Sequence, residues 1–333
     1  MRNSCHLMFW ASATITLASL LGILAITGLA QDMCLQGKVH LSVSSAPNLD
    51  AATPFYGLHY VSKDDLQTVR ELGVEVVLED FEHDGSPESW LAYLDEAQAQ
   101  GVRIVAWLWP EGWLWDGTGW QIDNQARLFV QTVAGHPALL AVYSLHEPYW
   151  NGCAGCGYTT AQQQALYDEI KAIADVPIYS AIGSVAFWTA QGEETAFADG
   201  VCDYCDNWYY PFREGDVYER EVVTERLMAD LAVAKARAPN SKFVWGMQSF
   251  AQGPPFNLRM PDEDEMRDLA SIVYSMDIDG ALWYPWWFGD LYSDFLSNHP
   301  ELYPVVQEVY QEYVLPAKYA CLVYLPTIRR SPK

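Results

Sequence analysis

The chain has 333 residues, half of them apolar and 14 % aromatic, with a formal charge of −24 from 19 basic and 43 acidic side chains. That length and apolar content suffice for one large hydrophobic core, and single α/β barrels commonly reach this size. No cluster of Lys or Arg precedes Arg329-Arg330, which argues against nucleic acid or an anionic membrane surface as a partner.

Residues 1–30 read as an export signal. Arg2 precedes a run from Leu7 to Ala30 without a formal charge, and Gly28-Leu29-Ala30 offers the small residues a signal peptidase prefers. The run is also long enough to span a bilayer, so an uncleaved anchor is the alternative. Gln31-Asp32-Met33 is too polar for a lipid-attachment pattern before Cys34. Either way the folded part is expected outside the cytoplasm, as a secreted protein, after an extension over 31–54. Export leaves six cysteines, Cys34, Cys153, Cys156, Cys202, Cys205 and Cys321, an even number that suggests disulfides in an oxidising compartment. The pairs CAGC and CDYC also have zinc-ligand spacing. Cys153 follows a strand's carboxyl end and Cys202 precedes the start of another, which sets them at opposite faces of the expected fold. Cys34 and Cys321 flank the domain, where a bond would tie its ends together.

From residue 55 onward, short apolar runs alternate with helical periodicity eight times. FYGLHYV (55–61) is followed by a helix opened at Ser62 by SKDD and stopped at Gly73. VEVVLEDF (74–81) precedes a helix opened by Ser86-Pro87 and closed by Gly101. VRIVAWLWP (102–110) leads into a Trp-rich loop and a helix near Asp123 to Ala134. LLAVYSLHEP (139–148) runs through the CAGC loop to a helix from Thr159 to Ala174. PIYSAIGS (177–184) precedes a weak helix near Ala186 to Phe197, and YCDNWYYPF (204–212) a strong one from Glu219 to Arg237. KFVWGMQSF (242–250) leads through a Gly/Pro loop to a helix capped around Pro261-Asp262-Glu263. GALWYPWWF (280–288) is the last strand, and the closing helix runs near Tyr303 to Tyr313, with a tail over 317–333.

Eight βα units in series predict a single (β/α)8 TIM barrel over 55–316. The competitor, an open doubly wound sheet, would carry a glycine-rich phosphate loop after its first strand, and none is present; no cofactor is expected. In such barrels the functional residues sit at the carboxyl ends of the strands. His146 and Glu147 hold that position on the fourth strand, where Pro148 ends the pairing because it lacks an N–H. Ten of the fourteen tryptophans fall at or just beyond strand carboxyl ends, namely Trp107, Trp109, Trp113, Trp115, Trp120, Trp150, Trp188, Trp208, Trp286 and Trp287. Tyr149, Tyr209, Tyr210 and Tyr284 join them. Flat amphipathic rings suit ligands with an apolar face and a polar rim, as pyranose rings have, although large aromatics also simply cap a barrel core.

The span from Phe55 to about Tyr313 resembles the glycoside hydrolase barrels of the large clan whose fourth strand ends in Asn-Glu-Pro. It is closer still to hydrolase-like relatives that end this strand in Asp-Glu-Pro. The matching residues are HPALLAVYSLHEP (136–148), Tyr210-Pro211 at the end of the sixth strand and Gln248-Ser249-Phe250 at the end of the seventh. RMPDEDEMRDLA (259–270) and GALWYPWW continue the match. The resemblance implies a secreted hydrolase of O-glycosidic bonds in a carbohydrate, with Glu147 as general acid or acid/base. Its sugar-binding residues would come from His59, Glu79, Trp109, His146, Trp150, Tyr209, Gln248, Tyr284 and Trp286, without a metal.

The sequence departs from that pattern in three places. His146 replaces the Asn or Asp before the catalytic Glu, where it can hydrogen-bond a sugar hydroxyl or restrain Glu147. Gln248 stands where the clan has its nucleophilic Glu and can neither attack nor ionise. Trp208 occupies the place of an Asp found in relatives on the sixth strand. A second carboxylate must therefore come from elsewhere. Asp206 lies on the same side of its strand as Trp208 and is the first candidate, with a buried hydrogen-bonded Asp as its alternative reading. Glu79 is second; Asp80, Glu111 and Asp116 are also at strand ends or in the third loop. Carboxyl separations of about 5–5.5 Å would point to retention and roughly 6.5–9.5 Å to inversion. Two further readings stay open: a catalytically silent carbohydrate-binding barrel, and a metal-dependent hydrolase on His59, Asp80, His146 and Glu147.

Overall fold

The computed structural model describes residues 54–79, 85–108, 112–149, 157–287 and 292–318. The expected signal, the extension before Pro54, the CAGC loop and Cys321 lie outside the described residues. No described helix is long and apolar enough to cross a membrane. Eight parallel strands close into a barrel: β1 (Phe55–Val61), β2 (Val76–Glu79), β3 (Arg103–Ala106), β6 (Leu139–His146), β7 (Ile178–Ala181), β8 (Tyr204–Trp208), β9 (Lys242–Gln248) and β11 (Gly280–Tyr284), which returns to β1. Around them lie helices α1 (Leu66–Glu71), α2 (Pro87–Gln100), α3 (Asn124–Val133), α4 (Thr160–Ile173), α5 (Val185–Ala190), α6 (Arg220–Arg237), α7 (Glu263–Ser275) and α8 (Tyr303–Val309). The fold is the single (β/α)8 barrel that the sequence predicts.

Local chemistry sets the helix ends. The Ser86 side chain accepts from Ser89 N–H at the start of α2, with Pro87 in the first turn. Thr159 with Gln162 and Asp262 with Glu265 form capping boxes on α4 and α7. Gly101 ends α2 at φ 70°, a left-handed conformation that costs another L-residue about 1–2 kcal/mol. Gly101→Ala is accordingly expected to lower the melting temperature by an amount equivalent to that energy; an unchanged melting curve would mean the turn relaxes.

Strand alternation divides the core in two. One face of the strands packs against the helices through Leu58, Val77, Ile104, Val142, Ile178, Trp245 and Trp283, while the other fills the lumen with Val76, Leu78, Val105, Tyr143, Tyr179, Val244 and Leu282. Gly57 belongs in the lumen because a Cβ there would meet the Val76 carbonyl at 2.5 Å. The seam between first strand and last helix is tied by Tyr56, whose hydroxyl accepts from Trp283 Nε1 at 2.6 Å and donates to the Val306 carbonyl at 2.8 Å.

Three local features differ from the sequence expectation. The Trp-rich loop contains a hairpin, β4 (Trp113–Trp115) with β5 (Trp120–Ile122). Asp116 makes its turn by accepting from Thr118 N–H and Gly119 N–H, an Asx-type turn that does not register as strand periodicity. A second pair, β10 (Phe250–Ala251) with β12 (Asp294–Phe295), spans the seventh and eighth loops. The expected helix over 186–197 stops at Ala190. Cys202 and Cys205 are bonded to each other, so neither thiolate is available for a four-cysteine zinc site; the partners expected for the other cysteines lie outside the described residues.

Candidate active site

β6 delivers its last residue, His146, and then Glu147 to the mouth of the barrel. Glu147 has φ 45°, a left-handed conformation of the kind that costs a non-glycine residue of order 1–3 kcal/mol and clusters at functional sites. Its N–H is held by the Ala181 carbonyl at 2.8 Å, and Pro148 follows. The carboxyl is partly enclosed by protein, and burial raises its pKa above the ordinary glutamate value. Its charge is felt by the hydroxyls of Tyr60, Tyr210 and Tyr292. These come from the first, sixth and eighth units of the barrel.

His146 has a solvent-open face, while protein crowds the other sides of its ring. This crowding, followed by the charge of His59, lowers its pKa to about 4, so the ring is neutral at neutral pH. Its Nδ1 pairs with the Tyr143 hydroxyl at 2.7 Å. The ring lies between two indoles, with centroids 6.2 Å from Trp107 and 5.8 Å from Trp208.

These contacts belong to a closed circuit of rings around the barrel axis. Tyr60, Trp107, His146, Trp208, Tyr210 and Tyr284 follow one another with centroid separations of 5.4–6.3 Å and return to Tyr60, within the range of favourable ring pairing. Tyr60, Trp107 and Tyr284 are buried, whereas His146, Trp208 and Tyr210 retain exposed surface. The open arc of the circuit is the surface a ligand would meet. Tyr60 owes its place to a register shift between His59 and Val61 and to its own φ of 57°, a bulge of the sort that re-aims side chains beside active sites.

Within the circuit lie the buried polar groups. His59 Nε2 approaches Asp206 Oδ2 at 3.2 Å, with 2 % and 0 % of their side-chain surfaces exposed. The contact is at ion-pair distance in a site closed to solvent, and the Tyr179 hydroxyl also faces the Asp206 carboxylate. Glu79 is buried as well, and its Oε2 accepts from the Trp107 N–H at 3.2 Å. Tyr284 packs edge-on to His59 at 4.9 Å and its hydroxyl pairs with that of Tyr292 at 2.8 Å.

The fold thus brings together Glu147, Asp206, His59, Glu79, His146 and Tyr284. Gln248 has a different role from sugar contact. Its side chain is wholly buried, Nε2 donates to the carbonyls of Phe212, Arg259 and Phe250 at 3.0, 2.9 and 3.2 Å, and Oε1 accepts from Phe212 N–H at 3.0 Å. Every polar atom of the amide is engaged in holding two loops. Tyr209 turns to the helix side, under the Arg226 guanidinium at 4.0 Å. Trp286 is buried against Tyr303 and donates to Asp65 Oδ2 at 3.0 Å. Trp109, Trp150, Asp80 and Glu111 lie outside the described residues. Trp113 and Trp120 donate to the Ser144 and Gln162 carbonyls, so they anchor the hairpin. The rings that do face the mouth, Trp208 and Tyr210, were legible as the alternation Tyr204, Asp206, Trp208, Tyr210, which assigns Tyr209 to the other face. Among the described residues no group of three or more His, Cys, Asp or Glu is placed to hold a metal ion.

No protein-family model and no curated protein matches the sequence. Solved structures do, and the neighbours named here are glycoside hydrolases on eight-stranded parallel barrels. The GH5_18 protein of Streptomyces cattleya, solved in complex with Manβ1-4GlcNAc, superposes with a TM-score of 0.57 at 14 % identity, over 78 % of this chain and 81 % of that one. An exo-β-1,4-mannosidase from an Opitutaceae bacterium gives 0.54 at 14 % identity over 80 % and 60 %. An FMN-binding β-glucuronidase from Facaelibacterium prausnitzii gives 0.52 at 13 % identity over 78 % of this chain, which spans 44 % of the length of that one. At such identities the likeness is one of fold.

Proposed function

We propose that the chain is a secreted glycoside hydrolase that cleaves O-glycosidic bonds of a polysaccharide or oligosaccharide, with Glu147 as the general acid/base. One observation carries the reading. Glu147 is held in strained backbone at a strand's carboxyl end, next in the chain to a member of the aromatic circuit, and burial raises its pKa. Glycosidic cleavage needs a carboxyl that is still protonated near neutral pH to deliver a proton to the leaving oxygen, and an apolar surround supplies that property. Trp208 and Tyr210 offer faces for a pyranose ring, and the neutral His146 can accept or donate to a hydroxyl. The likeness of fold to glycoside hydrolases agrees with this.

A catalytically silent carbohydrate-binding barrel is the second reading. It is favoured by the complete engagement of Gln248 and by the burial of Asp206.

The test is hydrolysis by the wild-type protein across a panel of glycans and aryl glycosides, with the pH dependence of kcat/KM for any member cleaved. The working form of the acid is protonated. The rate is therefore expected to hold above the ordinary carboxylate range and to fall as pH rises through the raised pKa of Glu147. Binding of a panel member without hydrolysis of any would leave the silent barrel standing.

A further inference from the structure

We propose that Trp188, with Phe187 beside it, forms a second sugar platform outside the aromatic circuit, so that the mouth takes an uncharged oligosaccharide chain running outward over the fifth βα loop. The inference rests on the carbohydrate reading above and deepens it, by naming the residues that select for chain length.

The path of rings is the first argument. Gly183 follows β7 at φ 76°, and a Cβ built on it would lie 3.6 Å from the Trp208 indole and 3.7 Å from Trp188 Nε1. The two indoles therefore border the same point, one belonging to the circuit and the other to α5. Trp188 packs in turn against Phe187, edge to face with centroids 4.8 Å apart. Trp208 and Trp188 keep part of their surface open and Phe187 is 51 % exposed, so exposure grows with distance from the circuit. Single apolar side chains scattered over a surface need no explanation, but these continue an existing row.

The second argument is the nearness of Glu147. The Ala181 carbonyl accepts from Glu147 N–H at 2.8 Å, and the next carbonyl, that of Ile182, accepts from Trp188 Nε1 at 3.2 Å. One peptide unit thus separates the anchor of the candidate acid from the anchor of the indole. The Trp188 ring also packs on Tyr149, two residues beyond Glu147, with centroids 5.8 Å apart. A sugar on Trp188 is accordingly a neighbour of one held at Glu147.

The third argument is how firmly the platform is held. The Ser184 side chain accepts from Phe187 N–H at 3.3 Å, the buried Asp230 carboxylate of α6 accepts from Ala186 N–H, and Thr195 Oγ1 donates to the Trp188 carbonyl at 2.8 Å. With the Ile182 bond, these contacts set a partly exposed indole in one orientation before a ligand arrives, which lowers the ordering cost of binding. Its occupant follows from chemistry. Residues 183–190 bear no charge and the chain's net charge is −24, which disfavours an anionic chain. An indole has a broad apolar face and a polar edge, the complement of an uncharged sugar ring with its apolar face and hydroxyl rim.

Affinity as a function of chain length tests the proposal. Calorimetric titrations of the Glu147→Gln protein, which cannot consume its ligand, use oligosaccharides of two to six units from mannan, cellulose, xylan, chitin and polygalacturonate. In an uncharged series that binds, affinity should rise about 10-fold once the chain is long enough to reach Trp188, the scale of one aromatic anchor. Adding Trp188→Ala should abolish that increment, and Trp188→Phe, which keeps a ring, should restore most of it. Phe187→Ala, at an exposed position, should lower the increment about 3-fold and keeps the test available where Trp188→Ala does not fold. An increment that survives these substitutions in folded protein, affinity independent of chain length, or a preference for the polygalacturonate series would overturn the proposal. Failure of the underlying hydrolase reading looks different: the increment appears and depends on Trp188, while the wild-type protein cleaves no member of any series. Absence of binding to every series would overturn both.

Discussion

Glu147→Gln is expected to lower kcat on glycosides with poor leaving groups by about 10²–10⁴-fold, the usual contribution of a general acid, equivalent to about 2.7–5.4 kcal/mol of barrier. The amide keeps the shape and a hydrogen-bonding edge but has no proton of suitable acidity. Ligand affinity should stay near wild type. Dinitrophenyl glycosides, whose leaving group departs without protonation, should recover most of the lost rate, and the basic limb of the pH profile should vanish. The variant should also be no less stable at neutral pH. A carboxyl whose pKa is raised by folding weakens the folded state as pH rises from its unfolded value through its folded one, and the substitution removes that penalty. Steady-state kinetics beside thermal melting check both statements. Unchanged turnover on poor leaving groups would sink the assignment of Glu147.

Gln248→Glu restores the residue that the resembling clan uses as its nucleophile, and it is expected to damage the protein instead of improving it. The amide nitrogen donates to three carbonyls, those of Phe212, Arg259 and Phe250. A carboxylate there would turn its negative oxygens toward three other acceptors in a site with no exposure. An uncompensated buried charge costs about 3–5 kcal/mol, enough to remove a large part of a domain's stability. The sign with pH is fixed by the same reasoning. Burial raises the folded pKa of the introduced carboxyl above the unfolded value near 4.3. The ionisation penalty is thus absent below the unfolded pKa, grows as pH rises toward the folded pKa and is constant above it. Melting temperatures of wild type and variant should converge in acid and diverge toward neutral pH. A variant as stable as wild type at neutral pH, and more active, would mean that position 248 belongs to the chemistry and not to the scaffold.

The sequence by itself determined the order of eight βα units, the helix caps at Ser86, Thr159 and Asp262, and the arrival of His146 and Glu147 at a strand's carboxyl end. These features are local: periodicity, capping chemistry and the missing N–H of Pro148 act within a few residues, so they can be read along the chain. It also carried the alternation that sends Trp208 and Tyr210 into the lumen. What only the tertiary structure decided is which groups meet. His59 and Asp206 stand 147 positions apart in the chain, and they face each other because barrel closure brings strands three apart to opposite sides of one lumen. Gln248 reads as a failed nucleophile until the loops bearing Phe212 and Arg259 fold against it and engage its amide. Tyr209 and Trp286 read as sugar platforms until α6 and the closing helix cover them. Glu147 acquires its raised pKa from burial at the barrel mouth. Burial and through-space charge set that property, and neither is encoded at the residue that bears it.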